Sequence, residues 1–247
     1  MYKRQGLTHR DADWAGLRVL VTGLGVSGFA AADALLERGV DVVGIDSGDS
    51  EALTERCRIL EILGARLHLG QDAARIDPDE LLAGIDLVVT SPGWRPDNPV
   101  LVAAQQAGIP VWGEVELAWR MRAREGAAPW LTVTGTNGKT TTVQMLEQIL
   151  LAEGLNAIAV GNVGTPVLEA VMNPEPFDVL AVELSSYQLH WSSSISAEAS
   201  VVLNVAPDHL DWHGDLDSYA ADKGRIYQNA QIACVLQRPA SRSNTVS

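Results

Sequence analysis

The chain has 247 residues, with 47% hydrophobic and 20% charged side chains, which is enough apolar material for about two domains with buried cores. A net charge of −13 argues against a broad nucleic-acid-binding face, which needs clustered Lys and Arg, but it leaves room for small anions held by a nest of N–H groups and one or two cations. Cys57 and Cys234 stand far apart, with no disulfide framework or metal-ligand spacing, as suits a reducing cytosol; no apolar run nears the ~18 residues of a membrane span, and MYKRQGLTHR has no apolar stretch behind it to make a signal peptide.

RVLVTG (Arg18 to Gly23) reads as a strand ending in glycine, and Ala30 to Leu36 as a helix. VDVVGID (Val40 to Asp46) is the next strand and DLVVTSPG (Asp86 to Gly93) a later one. GIPVWGEVELAWRMR reads as strand, turn and helix. Strands alternating with helices predict a mostly parallel sheet covered on both faces. Arg124 to Pro129 is small and polar, with a glycine and a proline, and predicts a linker. A second unit follows: strand WLTVTG, a helix over Thr140 to Glu153, a strand over Ala157 to Val160, then apolar strands within DVLAVELSS and AEASVVLNV. DLDSYAADKGRIYQNA reads as one helix with Leu216, Tyr219, Ile226 and Tyr227 roughly on one face. The polar end QRPASRSNTVS has no pattern and reads as a frayed tail or foreign sequence.

Each unit opens on a glycine turn. GLGVSG (Gly23 to Gly28) follows a strand and opens a helix, where glycines permit a tight turn and close approach of a phosphate to free N–H groups. Asp46, ending the second strand, is placed to accept from a ribose hydroxyl. These residues leave open a dinucleotide, another nucleotide, or a plain compact turn. VTGTNGKTTT (Val133 to Thr142) points more sharply: backbone N–H groups cradle phosphates, Lys139 reaches the terminal ones, and Thr140 offers its hydroxyl to Mg²⁺. Val133 stands five residues before Gly138 where the common loop has glycine, so this is a shorter variant.

Downstream, GNVG (Gly161 to Gly164), ELSSYQL (Glu183 to Leu189) and NVAPDHLDWHG (Asn204 to Gly214) each follow an apolar strand, where open parallel sheets bind ligands. Glu183 on such a strand is costly unless paired or metal-bound. Singly, Glu183 reads equally well as the partner of a structural lysine and His209 as a loop histidine. Together, at matching strand ends, they mark a site. No Ser–His–Asp or Cys–His arrangement is visible in the sequence.

TGTNGKTT, GNVG, ELSSYQL, and DHLDWHG followed by DKGRIYQNA, in that order, resemble the central domain of the Mur ligases. These are ATP-dependent amide ligases of the peptidoglycan stem peptide. GLGVSG, SPG and GIPVWGEVELAWR are most similar to the member that joins D-glutamate to UDP-N-acetylmuramoyl-L-alanine, and the resemblance runs from about Leu17 to about Val235. It implies an α/β chain: residues 1–16 a ragged N-terminus, 17–123 a Rossmann-like UDP-sugar-binding domain, and 124–247 a P-loop NTPase-like central ATP-binding domain, incomplete. The first domain would then hold UDP rather than NAD, with Val26, Ser27, Asp46, Ser47 and Gly93 lining the uridine and diphosphate pocket. Gly135, Thr136, Asn137, Gly138, Lys139, Thr140 and Thr141 would bind ATP. Asn162 and Ser185 would touch substrate. Thr140, Glu183, His209 and a carbamylated Lys223 would place Mg²⁺, with Lys139, His209 and Lys223 serving catalysis.

The implied chemistry is attack of the substrate carboxylate on the γ-phosphate of ATP, then reaction of the acyl phosphate with the amine of D-glutamate. Two anions approach each other, so cations must bridge them, and no protein nucleophile is needed. The resemblance implies a cytoplasmic protein with no nucleic-acid or membrane partner. The family carries a third domain that supplies the D-glutamate pocket, so a chain stopping at Ser247 is expected to be inactive alone. Alternative readings are another Mur ligase, a folylpolyglutamate synthase-like ligase (which lacks the GLGVSG domain), an inactive UDP-sugar-binding fragment, and an NAD dehydrogenase, which the second loop disfavours.

Overall fold

The computed structural model describes residues 6–235; the MYKRQ start and the end from Leu236, which includes the polar tail QRPASRSNTVS, lie outside them. The first unit runs β1 (Arg18–Thr22), α1 (Val26–Leu36), β2 (Asp41–Asp46), α2 (Glu51–Ile62), β3 (Arg66–Leu69), α3 (Gly70–Arg75), α4 (Pro78–Leu82), β4 (Leu87–Thr90), α5 (Pro99–Gln106), β5 (Val111–Gly113) and α6 (Glu114–Arg120). Its sheet is wholly parallel in the order β3-β2-β1-β4-β5. Val19, Leu20 and Val21 of β1 are fully buried, as expected of a central parallel strand covered on both faces. No turn separates β5 from α6: the helix starts on the residue after Gly113.

The second unit runs β6 (Trp130–Thr134), α7 (Lys139–Ala152), β7 (Ala157–Gly161), α8 (Val167–Met172), β8 (Val179–Glu183), α9 (Ser186–His190), β9 (Ala199–Val202), α10 (Leu210–His213), α11 (Leu216–Gly224), a 3₁₀ turn (Arg225–Tyr227) and β10 (Ile232–Val235). Its sheet is also parallel, ordered β10-β9-β6-β8-β7. The single helix expected over DLDSYAADKGRIYQNA stops at Gly224 and tightens into the 3₁₀ turn, and Asn229 then reverses the chain with φ 64°. Tyr219 and Ile226 are buried, but Leu216 faces out. The Tyr227 hydroxyl instead joins two strands, accepting from Val202 N at 2.9 Å and donating to Cys234 O at 2.8 Å.

One apolar core runs through both units where α1, α6 and α8 meet, and Trp119 and Trp130 pack edge to face with centroids 4.9 Å apart. Two buried carboxylates of α6 fasten the join. Glu114 accepts from Leu168 N at 2.6 Å, and Glu116 accepts from Ser193 N at 2.8 Å, Ser194 N at 3.0 Å and Arg120 Nε at 2.7 Å. Burial and the nearby Glu169 outweigh the single Glu114 bond and push that carboxyl up to about 7. Burial presses on Glu116 as well, but its donors from Ser193, Ser194 and Arg120 prevail and hold it below the usual range.

The N-terminal stretch corrects the sequence reading. Part of the span expected to be ragged is packed, with Leu7 and Trp14 only 2% and 1% exposed. Arg10 ties it to both units, through its N–H to Arg122 O at 3.0 Å and its guanidinium to Val171 O at 2.6 Å. Two apolar residues seven apart among polar ones carry no periodic signal, so this anchoring was not legible.

Candidate active site

The first glycine turn sits between β1 and α1, at the C-terminal edge of its sheet. Gly28 lets helix and turn touch: a Cβ there would lie 1.7 Å from Gly23 O. No side chain caps α1, so its first-turn N–H groups at Val26 and Ser27 face outward. Both Asp46 oxygens already serve the backbone, accepting from Leu24 N at 2.6 Å and Gly48 N at 2.8 Å. Asp46 therefore pins the glycine turn to the loop after β2. Ser47 and Gly93 line one open cleft of about 650 Å³ together with Trp94, Arg95 and Asn98.

The second turn is chemically different. Gly138 closes it with φ 83°, and α7 begins at Lys139 with no side-chain cap. Asn204, just past β9, pins the turn by accepting from Asn137 N at 2.9 Å and donating to Asn137 O at 3.0 Å. The Thr136 hydroxyl lies 3.1 Å from Tyr219 OH and accepts from Ala206 N at 3.0 Å. Lys139 folds back over the loop, its ammonium donating to Gly135 O at 3.0 Å and Thr136 O at 3.2 Å. Lys223, arriving from α11, donates to the same Gly135 O at 3.0 Å. Lys223 is 2% exposed, with no carboxylate among its hydrogen-bond partners. Burial, aided by Lys139 and opposed by Asp208, draws its ammonium down to about 8. A cleft of about 760 Å³ opens beside the loop, past Asn137, Asn204 and Tyr227.

Glu183 finds partners other than a lysine. Wholly enclosed at the end of β8, it accepts from Thr140 Oγ1 at 2.7 Å and from Asn162 Nδ2 at 3.1 Å. Asn162 N also donates to Glu183 O at 3.0 Å. This contact dictates the glycine before it: at Gly161 (φ 124°) a Cβ would lie 2.1 Å from Glu183 O. The Ser185 hydroxyl caps α9, accepting from Gln188 N at 3.2 Å in a capping box. Thr141 is exposed on the first turn of α7.

The structure thus joins Thr140, Asn162 and Glu183 into one group and Lys139 and Lys223 into another at Gly135. His209 joins neither by hydrogen bond. It starts α10 in the left-handed conformation (φ 51°), 3.4 Å from Asp208 and with its ring 5.0 Å from Tyr187. Among the described residues, no three or more His, Cys, Asp or Glu side chains gather as a metal site.

A constellation the sequence reading missed lies beneath α10. Ser186 Oγ is 2.9 Å from His213 Nε2, and His213 Nδ1 is 2.9 Å from Asp222 Oδ2. A Ser–His–Asp chain is therefore present. Its members come from three elements and follow no motif spacing, so only the fold reveals it.

A Rossmann-like parallel unit joined to a second unit with a lysine-bearing phosphate loop is the plan of a known ligase class. Residues 17–113 match the Mur ligase MurD-like N-terminal domain and residues 133–242 the Mur ligase middle domain; the chain belongs to the Mur ligase family. In particular, it is similar to the UDP-N-acetylmuramoylalanine–D-glutamate ligase of Streptomyces avermitilis, 55% identical over 90% of this chain and 46% of that protein. The same-named ligase of Tropheryma whipplei (strain Twist) is 42% identical over 95% of this chain and 48% of that protein. The chain thus spans about half the length of the curated relatives it matches. Among solved structures, the UDP-N-acetylmuramate-alanine ligase of Thermotoga maritima shares the fold at TM-score 0.52 and 23% identity, over 89% of this chain and 49% of that one. A Neisseria meningitides UDP-N-acetylmuramate:L-alanyl-γ-D-glutamyl-meso-diaminopimelate ligase does so at TM-score 0.56 and 19% identity, over 92% of this chain and 73% of that one. Among the described residues, no helix is long and apolar enough to cross a membrane.

Proposed function

We propose that this chain forms the sugar-nucleotide-binding and ATP-binding parts of a cytoplasmic ligase that adds D-glutamate to UDP-N-acetylmuramoyl-L-alanine. The observation that carries the reading is the convergence of Lys139 and Lys223 on Gly135 O, above the uncapped start of α7. The Lys139 ammonium beside free helix N–H groups forms a cradle complementary to a polyphosphate, and Lys223 brings a second nitrogen to the same carbonyl from α11. The first turn has outward N–H groups and no lysine, and an open cleft lined by Ser47 and Gly93 lies past the ends of β2 and β4, which suits a diphosphate that is bound and not transferred.

The donor set also fits Mg²⁺. The Thr140 hydroxyl and the Glu183 carboxylate are hard oxygens, already 2.7 Å apart. Mg²⁺ retains waters and phosphate oxygens, so a site without a full protein cage suits it. When bound, it would supply charge neutralisation between carboxylate and phosphate. Lys139 would hold the terminal phosphate, and Asn162 would keep Glu183 in place. Lys223, drawn down to about 8, holds a neutral fraction near pH 7, the form that reacts with CO₂. Its nitrogen would lose a proton on forming the carbamate and keep one hydrogen for Gly135 O.

Calorimetric titration of the chain with UDP-N-acetylmuramoyl-L-alanine, Mg·ATP and NAD⁺ tests the reading. The expected result is one site each for the first two and none for NAD⁺. NAD⁺ binding that displaces the UDP ligand would overturn it in favour of a dehydrogenase. With the first two ligands bound, labelled D-glutamate incorporation by a longer chain that includes this one tests the reaction itself.

A further inference from the structure

Asp222 precedes Lys223 on α11 but points elsewhere. Neighbouring helix residues are about 100° apart, so Lys223 enters the phosphate loop while Asp222 faces α9 and α10. Its Oδ2 lies 2.9 Å from His190 Nδ1 and 2.9 Å from His213 Nδ1. A carboxylate only accepts, so both imidazoles carry a proton on Nδ1, and neutral His213 takes the Ser186 hydroxyl proton as a hydrogen bond at Nε2. These are the distances of a hydrolytic triad, but the setting is not one. Ser186 is 2% exposed and the His213 side chain 0%, so no substrate carbonyl reaches Oγ.

The buried chain instead holds α10. That helix has four residues, none of them buried as a whole, and it follows directly from His209. So short a helix has no stability of its own. Its ties to the body include the enclosed His213 ring, which also packs on Tyr187 and Tyr219, the Trp212 ring edge-on to Tyr187 and His190, and the Asp211 carbonyl accepting from Arg95 Nη1 at 2.6 Å. The Arg95 tie is exposed, whereas the His213–Asp222 tie lies inside. Asp222 therefore locks the turn that starts at His209 onto the helix that carries Lys223.

We propose that Asp222, acting through His190 and His213, is a positioning residue that holds α10 and its leading His209 on the helix that carries Lys223 into the phosphate loop, in the arrangement nucleotide binding requires. The proposal rests on the phosphate-loop reading above. Mg·ATP and UDP are titrated into the chain and into Asp222→Ala, Asp222→Asn and His190→Ala, with the melting temperature of each recorded. Asp222→Ala is expected to weaken Mg·ATP by about tenfold or more, the size typical when an orienting partner of a ligand is removed, and to leave UDP within about twofold. Asp222→Asn, which keeps one oxygen acceptor, recovers part of the loss. If Asp222→Ala does not fold, His190→Ala, at the more open end of the cluster, shows the same split in smaller form. Equal loss of both ligands, or full Mg·ATP affinity in the variant that was scored, overturns the proposal. If the unaltered chain binds no Mg·ATP, the phosphate-loop reading itself fails. Amide exchange then decides the positioning claim: faster exchange confined to residues 209–224 in Asp222→Ala supports it, and unchanged exchange there overturns it.

Discussion

The two glycine turns occupy the same place in two similar sheets, after a central parallel strand and before a helix with no side-chain cap. Their chemistry differs. Around Gly23–Gly28 the ionisable group bonded to the turn is Asp46, and backbone N–H groups satisfy it. Around Gly135–Gly138 two lysines crowd one carbonyl, and an enclosed glutamate waits behind Thr140. The backbone plan thus offers N–H groups in both cases, while the charge delivered by later elements separates a holding site from a reacting one. Lys223 and Glu183 come from α11 and β8, far along the chain from the loop they serve.

Lys139→Ala should break the contrast most. Removing a charge from this partly enclosed cradle is expected to weaken ATP binding by about 2–5 kcal/mol, with UDP binding nearly intact, as paired titrations would show. The join between the turns is probed through Glu114. With its carboxyl raised to about 7, the native state keeps a proton that the unfolded chain releases. Stability is therefore full below the ordinary carboxyl range and falls as pH rises towards and through 7, by on the order of 3 kcal/mol. Glu114→Gln should flatten that fall in urea-unfolding midpoints between about pH 5 and 8. An unchanged slope would place the titration elsewhere.

Gly28→Ala tests the other turn. A Cβ 1.7 Å from Gly23 O must push helix from strand, which should reduce UDP affinity by about 1–3 kcal/mol and spare ATP. Arg95→Ala is the mildest. It removes one exposed tie between the β4–α5 loop and α10, and should change Mg·ATP affinity by no more than about 1 kcal/mol.

The turns, the central strands and Glu183 were legible because glycine spacing and apolar runs are local signals. Residues 51–82 were not assigned. α2 has only Leu53, Cys57 and Leu60 buried among charged and exposed residues, and RLHL of β3 is a short edge strand. The Glu183 partners were half legible: the need for a partner follows from burial, but a threonine and an asparagine in place of a lysine follow only from the fold. Ser186, His213 and Asp222 could not be grouped from sequence, because α9, α10 and α11 must fold together before their side chains meet. Leu7 and Trp14 were hidden for the same reason, since their partners lie in the core shared by both units.

The central claim is that two alike turns are two separate sites with different ligands. It is tested most directly by a crossed titration, with Gly28→Ala and Lys139→Ala each measured against UDP and Mg·ATP. The account predicts that Gly28→Ala loses UDP and keeps Mg·ATP, while Lys139→Ala loses Mg·ATP and keeps UDP. Loss of both ligands in either folded variant, or loss of neither in Lys139→Ala, would contradict it.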